Sequence, residues 1–290
     1  MQLCLRMPLI CIGILVTSSL AASAEPVASH KDRLFSYPDV LEARDGGDFL
    51  KVDYREGRDI DRRDQVPEKR VRSAYIDNRA RRATRTATVE TPRGAVTFGY
   101  AGDITDARFI VVYVHGRGGN HRQGINDFSF GGNFNRIKAL MLKSGGAYVA
   151  PDAGELREAD YAKLSALFLQ MLERSARARL VIACGSAGAA VCYQVADDKT
   201  LMHRLGGIIL LGAYTNPAYA LSLAGRARVP VVIGHGSRDT VFDIAKTEAF
   251  YTGLRKTGVP VQMVRFETGT HGTPIRMIDW RKSLNWILTR

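Results

Sequence analysis

The stretch Leu180-Val-Ile-Ala-Cys-Gly-Ser186-Ala-Gly-Ala-Ala-Val-Cys192 decides how this chain is read. An apolar strand runs into small residues flanking a serine and then into a helix-forming segment. That pattern reads as a nucleophile elbow, in which the serine sits in a strained backbone conformation and small neighbours let strand and helix approach closely. Gly185, Ala187 and Gly188 meet the requirement. Two positions before the serine the usual Gly-x-Ser-x-Gly string has glycine, and this chain has Cys184, which is also small. The same string suits a serine that only caps the following helix, so the surrounding chain has to separate the two readings.

Apolar runs recur on either side of the elbow: Phe109–Val114, Ala147–Ala150, Leu180–Ala183, Gly207–Leu211, Val229–Ile233 and Val261–Phe266. Helical segments lie between them. Ala162, Leu164, Leu167, Phe168, Met171 and Leu172 form one apolar face, and Met277, Trp280, Leu284 and Ile287 form another in the last helix. Continuous apolar strands alternating with helices predict an α/β fold, a mostly parallel, doubly wound sheet covered on both faces. Ahead of it, Thr88–Thr91 and Ala95–Tyr100 across Pro92-Arg93-Gly94 read as a hairpin.

The first 24 residues read as a secretory signal peptide. One positive charge at Arg6 precedes the apolar run Leu9–Val16, and Ala22-Ser23-Ala24 is a small-x-small cleavage pattern. The expectation is an exported protein, periplasmic or secreted, beginning at Glu25. Residues 25–84 are densely charged with both signs and lack sustained periodicity; their aromatic clusters predict an extension docked on the main domain, residues 85–290, rather than a free tail. Cys4 and Cys11 leave with the signal. Cys184 and Cys192 lie on a strand end and one to two turns into the next helix, where their Cα atoms are expected to be too far apart to bridge, giving two buried thiols.

The formal net charge of +12 favours anionic partners, such as an anionic membrane surface or an acidic polymer; a solvated basic surface with no dedicated partner is the alternative. No Lys/Arg stripe is interleaved with aromatics, so nucleic acid is not expected as a partner. No His/Cys/Asp/Glu spacing suggests a metal, and no Gly-rich phosphate loop follows the first strand, so no cofactor is expected.

In an open parallel sheet the site lies at the carboxyl ends of the strands. There the chain places His115-Gly-Arg-Gly-Gly-Asn120, the Ser186 elbow, Gly234-His-Gly-Ser-Arg-Asp239 and Glu267-Thr-Gly-Thr-His271. The order Ser, Asp, His, each just past a strand, resembles the α/β-hydrolase family over roughly residues 85 to 290. The resemblance implies Ser186 as nucleophile, His271 as general base and Asp239 as the carboxylate orienting it, because a hydroxyl needs a positioned base to attack near neutral pH. Asp243 is the alternative acid, more naturally a helix N-terminal carboxylate. The His-Gly-x-x-Gly segment resembles the family's oxyanion loop, which implies backbone N–H donors from Arg117 and Ala187. His115 and His235 read as structural, and His30, His121 and His203 lie away from the strand ends, with His121 a candidate for the cleft wall.

Only Gly212–Arg228 separates the run Gly207–Leu211 from the next, too little for the cap domain many lipases of this fold insert there. The glycine and aromatic loop after the oxyanion segment offers Phe128 and Phe130 as substrate-binding side chains, or as hydrophobic anchors of a long loop. The resulting expectation is an exported serine hydrolase cleaving a small-molecule or lipid carboxylic ester through an acyl-enzyme. A peptidase or amidase of the same fold, or an inactive binding protein built on it, are the alternatives.

Overall fold

The computed structural model describes residues 25–65 and 69–290. The signal-peptide reading of Met1–Ala24, with Cys4 and Cys11, lies outside the described residues. Twelve strands follow in chain order: β1 (Val40–Arg44), β2 (Phe49–Asp53), β3 (Asp64–Gln65), β4 (Arg70–Val71), β5 (Arg85–Thr91), β6 (Gly94–Ala101), β7 (Phe109–Val114), β8 (Ala147–Pro151), β9 (Arg179–Gly185), β10 (Leu205–Leu211), β11 (Val231–Gly236) and β12 (Val261–Glu267). Ten form one sheet in the order β1-β2-β12-β11-β10-β9-β7-β8-β6-β5, and β3 and β4 make a separate two-stranded ribbon.

The centre of the sheet is parallel because each central strand is apolar on both faces and must be covered on both. Every residue of β7, β8, β10 and β11 is buried. The helices Glu158–Arg174, Ala189–Ala196 and Ile244–Lys256 pack Leu164, Phe168, Val191, Phe250 and Leu254 on one face. On the other, Asn133–Ser144 and Trp280–Leu288 contribute Phe134, Ile137, Leu140, Trp280 and Leu284. All six predicted parallel runs are strands, and the hairpin is β5 and β6, paired antiparallel from Arg85↔Tyr100 to Thr91↔Gly94. The last helix, read as continuous from Met277, is broken: Met277 ends the short helix Thr273–Met277, and Trp280 opens the next. The break follows from Asp279, extended at φ −79°, ψ 93°, which turns its carboxylate back to accept from the Lys282 N–H.

The segment 25–84 does more than lie on the surface. β2 joins the sheet in parallel with β12, from Met263↔Phe49 to Glu267↔Asp53, and β1 closes the edge antiparallel to β2. Val27 is fully buried and exchanges hydrogen bonds with the Asn285 amide in both directions, 2.8 and 3.3 Å. Asp32 accepts from Arg136 and Arg281 at 2.9 and 3.1 Å. Asp64 on β3 meets Arg276 through both carboxylate oxygens, at 3.1 and 2.6 Å, in a buried setting. The arm is thereby fastened to the last quarter of the chain, which also carries His271.

Candidate active site

β9 delivers Ser186 to the carboxyl edge of the sheet in a tight turn, Ser186–Gly188, before the helix Ala189–Ala196 begins. Ser186 has φ 52°, a left-handed conformation that L residues seldom hold unless the surroundings enforce it. Small neighbours make it feasible. A Cβ on Gly188 would stand 2.5 Å from the His115 carbonyl oxygen, so only glycine lets the new helix descend onto the end of β7. A Cβ on Gly116 would stand 3.0 Å from the Ser186 Cβ, which puts the loop after β7 directly against the serine.

His271, from the loop after β12, places Nε2 2.8 Å from the Ser186 Oγ, and its Nδ1 lies 2.8 Å from Asp239 Oδ2. With Nδ1–H donating to the carboxylate, Nε2 is left as the acceptor facing the serine hydroxyl. The Asp239 side chain is fully buried, while that of His271 keeps 30% of its surface exposed. The proton-accepting end of the relay therefore opens on solvent, and its anionic end is shielded. The other oxygen of Asp239 accepts the backbone N–H groups of Val241 and Phe242 at 2.8 and 3.1 Å, which pins the carboxylate plane. Asp243 is elsewhere: it caps the helix Ile244–Lys256 by accepting from Ala245 at 2.8 Å.

The two histidines beside these loops are fixed by their partners. His115 Nε2 accepts the Ala153 N–H at 2.9 Å, so Nδ1 carries the proton and donates to the Gly116 carbonyl at 2.8 Å. Across a trans peptide the carbonyl and the following N–H point in opposite directions. Turning the Gly116 carbonyl toward His115 thus turns the Arg117 N–H away from it. His235 is wholly buried at the end of β11; its Nε2–H donates to the Phe242 carbonyl at 2.9 Å and lies 3.5 Å from Asp239. Burial is the main cause that lowers its pKa below the ordinary histidine value. It holds the Asp239–Phe242 turn as a neutral ring. His121 joins Asp152, just past β8, at 2.8 Å, and His30 joins Asp77 on the arm at 3.2 Å.

The two loop phenylalanines part company. Phe130, itself left-handed at φ 46°, reaches to 3.6 Å from where a Gly272 Cβ would stand, immediately after His271. Phe128 turns to the arm: the Arg70 guanidinium lies 3.3 Å from its ring centroid, and its carbonyl accepts the Val71 N–H at 3.0 Å. Sequence reasoning overlooked the Phe242 ring, 5.6 Å from the His271 ring, and Tyr214, 6.0 Å from Phe242. The signal available was position, since Phe242 is three residues past Asp239 and Tyr214 three past the end of β10. The span from β10 to β11 holds only two short turns of helix, Pro217–Leu221 and Leu223–Arg226.

The expectation of two separate thiols is corrected. Cys184 and Cys192 are joined in a disulfide, with Cα atoms 6.2 Å apart. Treating strand and helix as a continued line overestimated the separation. The left-handed turn at Ser186 folds the helix back over the strand it came from, which brings position 192 within the distance a disulfide spans.

No protein-family model matches the chain, and no curated protein sequence matches it. Solved structures do. A thermostable esterase aligns with a TM-score of 0.57 at 14% identity, over 72% of this chain and 63% of that one. The chain thus spans less than two thirds of that esterase's length. The Pyrococcus furiosus esterase Pf2001 aligns with a TM-score of 0.53 at 14% identity, over 71% and 90%. Apo Thermogutta terrifontis esterase 2 aligns with a TM-score of 0.50 at 16% identity, over 70% and 92%.

Proposed function

We propose, from the α/β-hydrolase fold established by these structural neighbours, that the chain is a serine hydrolase that cleaves carboxylic esters through an acyl-enzyme. The observation that carries the reading is the unbroken relay from Ser186 Oγ to His271 Nε2, and from His271 Nδ1 to buried Asp239, at 2.8 Å each. In the first half-reaction Ser186 attacks the ester carbonyl as His271 takes its proton. The imidazolium, stabilised by Asp239, then protonates the departing alcohol. In the second, His271 activates a water that releases the acid and frees the serine. The oxyanion of each tetrahedral intermediate would be met by the N–H groups of Ala187, in the turn that leads into the elbow helix, and Arg117, whose peptide His115 orients. Phe130, Phe242 and Tyr214 supply apolar surface near His271 for the acyl or alcohol group.

The substrate reading is a small or extended ester, because the segment after β10 has no room for a cap. Export is part of the proposal. It is supported by the signal-like pattern of Met1–Ala24 and by the Cys184–Cys192 disulfide, since such bonds persist mainly in oxidising compartments. An anionic membrane surface is the partner the charge suits: Lys31, Arg79, Arg82 and Lys143 line one groove of about 680 Å³ floored by Ile76, Ala80 and Leu142.

The activity is tested by labelling with a fluorophosphonate, beside Ser186→Ala and p-nitrophenyl esters of rising chain length. Labelling and hydrolysis that vanish together in the variant support the assignment. A folded protein that takes no label rejects it and leaves the binding-protein alternative. The surface is tested separately by sedimentation with phosphatidylglycerol and with phosphatidylcholine vesicles. Binding only to the former, weakened by salt and by R79E/R82E/K143E, is the expected result; equal pelleting with both lipids, or with neither, counts against it.

A further inference from the structure

We propose that the Cys184–Cys192 disulfide is a positioning device for the nucleophile, a covalent brace that holds the strained turn at Ser186. The inference rests on the serine-hydrolase reading above. Ser186 is a non-glycine residue at φ 52°, and a conformation of that kind survives only where the surrounding structure over-determines it. Gly188 lets the elbow helix settle on the end of β7 from one side. The disulfide acts from the other.

Its two ends have unequal freedom. Cys184 lies in register with Val114 of β7 and Leu210 of β10, so neighbours on both sides of the parallel sheet fix its backbone. Cys192 is the fourth residue of the helix Ala189–Ala196, whose approach supplies the Ala187 N–H to the site. The bond ties the helix after the elbow to the strand before it, and the ring it closes, eight residues in separation, contains Ser186 and Ala187. An elbow of the usual pattern has glycine where this chain has Cys184. Here the same position trades a bare backbone for a covalent tie. Both cysteines have no exposed surface, so two unbonded sulfurs, which need more room than a bonded pair, could be accommodated only by displacing the helix or by leaving their side-chain wells. The same burial denies a reductant access while the protein is folded, which makes the bond a permanent brace rather than a switch.

The test compares oxidised wild type with Cys184→Ala, Cys192→Ala and the double variant. Fluorophosphonate labelling rate, kcat, KM and the thermal transition are measured at a temperature where circular dichroism shows each protein folded. Labelling rate and kcat are expected to fall about tenfold to a hundredfold with KM within about twofold, since a displacement near 1 Å at a reacting atom suffices for such losses. The double variant should be no worse than either single one, because each single change already removes the same bond. Dithiothreitol should leave folded wild type unaffected, whereas wild type reduced while unfolded and refolded in the presence of reductant should show the same loss of labelling rate. A folded double variant that labels at the wild-type rate overturns the proposal. So does a loss of activity that only tracks unfolding, or a double variant that does not fold, either of which makes the bond a matter of stability. Wild type that takes no label at all refutes the hydrolase reading instead.

Discussion

Asp64 and Arg276 are 212 residues apart in sequence and meet as a buried two-point ion pair, with the arm's carboxylate on the helix five residues past His271. Arg276 also donates to the Asp59 carbonyl, and Thr268, in the loop leading to His271, donates to that of Tyr54 at 2.7 Å. The arm therefore grips both ends of the segment that carries the proposed base.

Removing one member of such a pair leaves a buried charge without its partner, which costs on the order of 3–5 kcal/mol. Asp64→Ala is expected to destabilise the protein by about that amount, and Asp64→Asn, which keeps an acceptor for Arg276, by less. Urea titration of the two variants beside wild type measures both. Equal midpoints for all three would mean that this ion pair adds nothing to the stability of the protein.

His115 is expected to act on turnover through the Gly116 peptide. With its side chain cut to alanine, the carbonyl of Gly116 loses its donor and the Arg117 N–H its fixed direction. Loss of one oxyanion donor costs ~3 kcal/mol in the transition state, so His115→Ala should lower kcat by about a hundredfold with a much smaller change in KM. Steady-state kinetics on a short p-nitrophenyl ester separate the two constants.

His235 gives the stability a pH dependence of defined sign. Its pKa is lowered on folding, chiefly by burial, so the unfolded chain takes up a proton that the native one refuses. The stabilisation is complete above the unfolded value of about 6.5 and is lost progressively as pH falls from there toward the folded pKa. His30, lowered by burial in the same direction, adds to the effect. Thermal transitions between pH 5 and 8 should therefore drop on the acid side, and His235→Gln, which retains an N–H donor toward Phe242, should show a shallower drop.

The parallel core was legible in the sequence because strands buried on both faces leave continuous apolar runs, and each of those runs is a strand. Ser186, Asp239 and His271 were legible for a related reason: the strand ends converge on one edge, and three reactive side chains there stand out. The edge of the sheet was hidden. All five residues of β1 are exposed, and β2 buries Phe49 on one face of the sheet and Val52 on the other, so no alternating apolar side shows through the charge. The disulfide was missed because sequence separation stood in for distance across a chain reversal. The roles of His115 and His235 depend on which carbonyl each ring reaches, and those carbonyls belong to backbone that no side-chain pattern reports.

The arm's contacts also set the order in which the molecule can be completed. Val27 waits for Asn285, Asp32 for Arg281 and Asp64 for Arg276, while β2 waits for β12. On a chain made from the amino end, the first described segment is the last to find its place. Until then the side of β12 that β2 will pair with is an open strand edge, a template for pairing with another molecule.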